Sequence, residues 1–234
     1  MIVRPAQVAG KLYPADADDL ITDISQNLLY FPVGNTFPYA LVVPHGDMTR
    51  CGLSSAAAFR HLSKYYPYIN NVIIIGCASV GSMGASLPIC DEYSTPLGRV
   101  KVAQRYMQSL ALFPFVHKSD KEHFKSTAIE TQLPYLQTCL AEFQILPILI
   151  GEMSLLDINS LLASLPLNRK TLTVLALDID RSEQRCFDHR EQQLFNSYLN
   201  YIKSENRHII NAEHLGMQNG LNCVNLNYQS YIVH

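Results

Sequence analysis

The chain predicts an α/β fold: a three-layer αβα sandwich with a mainly parallel central sheet. Three observations predict it. Short apolar runs of strand length alternate with segments of helical periodicity. Several of those runs are apolar throughout, as strands buried on both faces are. They end in Pro, Gly or Asp, where a loop would begin. At 234 residues, one domain covering 1–234 is expected, and no repeat, linker or low-complexity stretch divides it.

The elements follow in order. Asp18 to Leu29 spaces Leu20, Ile21, Ile24 and Leu28 as a helix does, with acidic residues in its first turn. Tyr39 to Val43 is a buried strand closed by Pro44. Leu53 to Tyr65 is a helix whose Ala56, Ala57 and Ala58 allow close packing. Val72 to Ile75 is a second buried strand, stopped by Gly76. A turn at Thr95-Pro96-Leu97-Gly98 introduces a short strand, Arg99 to Val102. Helices are expected over Val102 to Leu112 and Ala128 to Glu142. Phe143 to Ile150 is a strand in which Pro147 implies an edge or a bulge. Ser154 caps a helix that Pro166 closes. Thr171 to Leu177 is a strand that delivers Asp178, and Phe187 to Ile202 is the last long helix.

Composition removes several function classes. Lys and Arg number 18 against 20 Asp and Glu, a net charge of −2, so the basic surplus that a nucleic-acid partner needs is absent. At 48% apolar residues the chain is not disordered. Arg4 and Pro5 interrupt the opening residues and no apolar stretch follows, so a secretory signal is not expected. The six cysteines form no CxxC pair and read as reduced thiols in a cytoplasmic protein. The charge-free run Val72 to Cys90 contains Gly76, Gly81, Gly84 and Pro88, so it reads as strand then loop, and no membrane partner is expected. Only 16% of residues are charged and 13 are tyrosine, a balance that points to extra surface burial, as in an oligomer.

Ligands of such sheets bind beyond the carboxyl ends of strands. The loop Gly76 to Gly84 stands there, but its glycines fit neither the dinucleotide fingerprint nor the P-loop, where Ser82 replaces the lysine. His45, inside Pro44-His45-Gly46-Asp47, could serve as a ligand or a base, or simply hydrogen-bond its own loop. By spacing alone, nothing joins His45 to His123, Glu130 or Asp178.

Longer motifs carry a resemblance. Arg4-Pro5-Ala6, Val8 to Pro14, Pro44-His45-Gly46, Thr95 to Gly98, Glu130-Thr131-Gln132-Leu133-Pro134-Tyr135-Leu136 and Leu146 to Gly151 occur in the order found in the Memo family. The resemblance spans nearly the whole chain and implies a fold similar to LigB-type extradiol dioxygenases, which are non-haem iron enzymes. It also implies a pocket of two histidines, a cysteine, and an Asp followed three residues later by His, for which iron or copper and redox chemistry have been proposed.

Carried over residue by residue, that pocket is depleted. The first histidine matches His45, while Met48 and Arg50 replace the aromatic residues that usually follow it. The second histidine matches Ser79, beyond Gly76-Cys77-Ala78. The Glu-His-Ser segment matches Ser126-Thr127-Ala128, with an upstream histidine kept as His123. Asp178 stays, the histidine three residues on becomes Arg181, and the cysteine matches Asn219. Ser and Asn are poor ligands for iron or copper, and a guanidinium repels a cation. The expectation is therefore no cofactor, and a small-anion-binding or protein-interaction module rather than an enzyme. Its ligand pocket would comprise His45, Ser79, His123, Asp178, Arg181 and Asn219, with Arg181 suited to a carboxylate or phosphate. The alternative is an iron- or copper-dependent redox enzyme with a relocated site, using His45 with Asp178 or Cys77, or with Cys51 or Asp180.

Overall fold

A computed structural model describes residues 1–234 except 35–36, 65–66, 181–184, 187, 206, 208 and 212–229, with backbone only at 63–64, 179–180, 185–186 and 209–211. Its centre is five parallel strands: β2 (Ala40–Val43), β3 (Asn71–Cys77), β6 (Gly98–Val102), β8 (Gln144–Ile150) and β9 (Thr171–Ala176), laid side by side as β6-β8-β3-β9-β2. β1 (Val3–Arg4) and β5 (Glu92–Thr95) extend the β6 side, and β5 runs antiparallel to β6. Past β2 lie β13 (Tyr231–Val233) and β12 (Ile209–Asn211), both in antiparallel register. β4 (Ala85–Leu87) pairs antiparallel with the end of β8 and parallel with β7 (Val116–Lys118). Sequence reading missed β1, β4, β5, β7, β12 and β13, each of two to four residues and too short to show a periodicity.

The central strands are buried because both faces are covered. Ile73, Ile74, Ile75, Ile148, Leu149, Val174 and Leu175 have essentially no exposed surface, and each contributes about 1.5–3 kcal/mol by leaving water. Three helices pack together: α1 (Ala17–Leu29), α2 (Met48–Phe59) and α5 (Leu133–Cys139). A second group pairs α6 (Leu155–Ala163) with α7 (His189–Ser204), so sheet and helices form three layers. α1 turns Leu20, Ile24 and Leu28 inward and starts where Asp16 accepts the Asp18 and Asp19 N–H groups. α2 begins earlier than its apolar spacing predicts, because Asp47 caps it. Its buried Ser54, Ser55 and Ala56 to Ala58 let it lie close on β2. The helix expected over Ala128 to Glu142 is a 3-10 turn at Glu130–Gln132 followed by α5.

Pro147 corrects an expectation. β8 is neither an edge nor bulged, since it pairs with β3 along its whole length. On its other flank, β6 covers only Gln144 and Ile145, and β4 covers Leu149 and Ile150. Pro147 falls in the gap between those partial neighbours, where no partner asks for an N–H.

One close approach ties down the loop after β3. Gly151 donates to the Gly84 carbonyl (2.8 Å) and Glu152 to the Ser82 carbonyl (2.8 Å). A Cβ at Gly151 would sit 2.4 Å from that Ser82 oxygen, so only glycine fits. No helix among the described residues is long and apolar enough to cross a membrane.

Candidate functional site

The parallel register of β2 and β9 brings their carboxyl ends together, with Leu177 N–H donating to Val43 O at 2.8 Å. His45 and Asp178 follow those ends. The His45 N–H donates to Asp178 Oδ1 (2.9 Å), and the His45 carbonyl accepts from Thr127 Oγ1 (3.3 Å) and Thr131 Oγ1 (3.4 Å). Gln132 Nε2 donates to the Pro44 carbonyl at 3.1 Å. The segment around the 3-10 turn thus grips the His45 loop from below.

The imidazole is held at both ends. Nδ1 lies 3.4 Å from Thr127 Oγ1, and Nε2 lies 2.9 Å from Glu191 Oε1. The other oxygen of Glu191 accepts the Asp178 N–H at 3.0 Å. Glu191 is buried in the first turn of α7, whose cap is Asp188. Burial is the largest single influence on His45 and opposes its charge. The Glu191 hydrogen bond and the Asp178 and Glu191 charges outweigh it, so the His45 pKa is raised. Glu191 was not foreseen from the sequence. It reads there as one more acidic residue at a helix start, and only the docking of α7 beside β2 and β9 reveals its partner.

Of the four expected pocket residues that are described, His45 and Asp178 are in direct contact. Ser79 lies in the loop beyond β3, where its carbonyl and that of Ala78 accept from Arg190 Nη1 (3.1 and 2.8 Å). Arg190, also unforeseen, is clamped by Asp188, which raises its pKa. His123 is buried elsewhere: Nδ1 meets the Tyr93 hydroxyl (2.8 Å), Nε2 the Ser86 carbonyl (3.1 Å), and its own carbonyl accepts from Arg4. Burial, with the Arg4 charge beside it, lowers its pKa to about 4, so it is a neutral core histidine. Arg181 and Asn219 lie outside the described residues, as does the side chain of Asp180.

Three of the motifs that carry the resemblance, at residues 4–6, 8–14 and 130–136, converge on a different centre. Fully buried Glu130 pairs with Arg4 and accepts from the Gln7 and Val8 N–H groups and the Tyr13 hydroxyl. They build a frame that straps residues 4–13 to the 3-10 turn.

An iron or copper ion needs three convergent donors, and the described residues do not supply them. His45 Nε2 and Glu191 meet, but the Asp178 carboxylate faces the His45 main-chain N–H. Cys51 donates to the Asp47 carbonyl and is a buried thiol, its pKa pushed by burial up to about 12, far from the thiolate a metal wants. The Cys77 carbonyl at the end of β3 accepts from Ser126 Oγ. No group of three His, Cys, Asp or Glu side chains able to hold a metal occurs among the described residues.

Comparison with known proteins gives a consistent result. A family model described as Memo-like protein matches residues 4–218. A MEMO1 family protein of Methanobrevibacter smithii is 30% identical over 180 residues, covering 70% of this chain and 62% of the relative. One from Methanocaldococcus jannaschii is 26% identical over 233 residues, covering 85% and 81%. The protein memo-1 homolog of Caenorhabditis elegans is 28% identical over 156 residues, covering 64% of this chain and 43% of the relative. The matched motifs, the frame around Glu130 and a family model spanning most of the chain agree: this chain belongs to the Memo family.

Proposed function

We propose that this chain is a diverged Memo-family protein that works as a binding or interaction module, without the metal chemistry that the resemblance implies. The observation that supports this most is the engagement of His45. An imidazole engaged at both nitrogens, by Thr127 and by Glu191, has to give up one of those contacts before it can ligate a metal. The other positions of the expected ligand set hold Ser79, Arg181 and Asn219, which are poor donors for iron or copper.

Of the two module readings, a protein partner is favoured over a small anion. Glu191 and Asp178 set two carboxylates beside one imidazole, so an anion at His45 needs a further cation. The expected source of that cation is Arg181, which stands where the family pattern has a histidine and lies outside the described residues. The anion reading therefore hangs on Arg181, and Arg181→Ala would abolish phosphate or dicarboxylate binding.

Elemental mass spectrometry of the purified protein, followed by anaerobic titration with ferrous and cuprous ions, tests the proposal. The expected result is no stoichiometric metal and no tight uptake. Near-stoichiometric metal that His45→Ala removes would overturn it and restore the redox-enzyme alternative.

A further inference from the structure

Beside Ser79 the surface opens into a groove of about 470 Å³, walled by the loop Ser79–Met83 on one side and by His117, Ser119, Lys121, Glu122 and Lys125 on the other. Its charges are unevenly spent. Glu122, the carboxylate of the wall, is paired with His117 at 2.9 Å. Asp120, two residues before it, accepts the Ile89 and Cys90 N–H groups. Lys121 and Lys125 are exposed and make no ion pair among the described residues.

The rim is apolar where a surface loop is ordinarily polar. Val80 is 86% exposed and Met83 65%. Met83 bridges to Glu152, and shortly beyond it the first turn of α6 exposes Leu155 and Leu156. Four large aliphatic side chains thus stand out from two backbone segments that hydrogen-bond to each other. Exposed apolar side chains grouped in this way mark contact surfaces.

We propose that this groove docks a segment of a partner protein, one that carries acidic and aliphatic side chains together. The acids would meet Lys121 and Lys125, and the aliphatic groups would cover Val80 and Met83. A membrane is the poorer fit, because the lysines and serines line a concavity that a flat lipid surface does not enter. Single-stranded nucleic acid is also poorer, because no aromatic side chain but His117 lines the groove to stack on a base. The inference rests on the interaction-module reading and gives it a surface and a partner chemistry. It does not involve His45, so the two can fail separately.

The test is fluorescence anisotropy of the full chain with a short fluorescein-labelled peptide of repeated Glu-Leu pairs. Saturable binding is expected, weaker at high salt and absent for a Lys-Leu peptide. The double variants Lys121→Glu/Lys125→Glu and Val80→Ser/Met83→Ser should each weaken it about fivefold or more, whereas Lys170→Glu, a charge reversal at an exposed lysine just before β9, should leave it unchanged. These side chains are exposed, so the variants keep the parent unfolding midpoint. If a charge reversal does not, Lys121→Ala/Lys125→Ala replaces it. No saturable binding, binding indifferent to the groove variants, or an equal loss of binding in Lys170→Glu would overturn the proposal. So would sedimentation with phosphatidylserine-containing vesicles that the groove variants abolish, which would assign the surface to lipid. Metal bound to His45 would sink the metal-free reading and leave the docking result standing.

Discussion

Glu191 joins the His45 ring to the Asp178 backbone with one carboxylate. Glu191→Gln keeps the shape and removes the charge, so the His45 pKa should fall, read by NMR titration of the ring protons. Hydrogen bonds to charged groups are worth about 1.5–3 kcal/mol, and a stability loss of that order is expected near pH 6. The sign follows from linkage. The folded pKa of His45 is raised above its ordinary 6.5, so its contribution is full below pH 6.5 and fades as pH rises through the raised value. Denaturant unfolding of parent and variant should therefore differ most near pH 6 and converge at alkaline pH. A difference that grows with pH would contradict this account of the pair. His45 was legible in the sequence because it follows a strand that ends in proline. His123 was assigned to the pocket by family alignment, and nothing local in the sequence distinguishes a ligand from a histidine packed on Tyr93.

Among elements, the long apolar strands were legible and their lateral order was not, since alternation of strand and helix says nothing about which strands are neighbours. Pro147 shows the difference. Its chemistry demands a missing partner, and the sheet provides one inside its centre rather than at its edge. The Gly151 contact is of the same kind, invisible until two loops meet. Gly151→Ala forces a Cβ onto the Ser82 carbonyl and should cost about 1–3 kcal/mol, as overpacking does. It should also raise amide exchange across residues 79–84; an unchanged exchange profile would refute the tie. The strap over residues 4–13 depends on Arg4. Arg4→Ala leaves Glu130 charged and buried, a change that typically costs about 3–5 kcal/mol. Limited proteolysis should then cut within the first turn of chain, ahead of any cut in α1.

For the molecule as a whole, acid is the weakness. His61 and His123 are both buried, and burial above all holds each near pKa 4. The unfolded chain takes up protons at these sites as pH falls below 6.5 while the folded chain does not, so stability should drop between pH 6.5 and 4. Each histidine accounts for roughly 3 kcal/mol at the full shift. Replacing both with Gln should flatten that part of the stability curve, whatever it does to the stability at neutral pH. The core itself follows from the strand runs that the sequence displays most clearly.

Glu130 has a wider consequence. Its side chain binds the strap, while Thr127, Thr131 and Gln132 around it hold the Pro44 and His45 carbonyls. One short turn thus joins the strap to the His45 loop, and both carry motifs by which the family is detected. Likeness across this family therefore measures inheritance of a chassis, the strap and its turn, and is silent about the tool mounted on it.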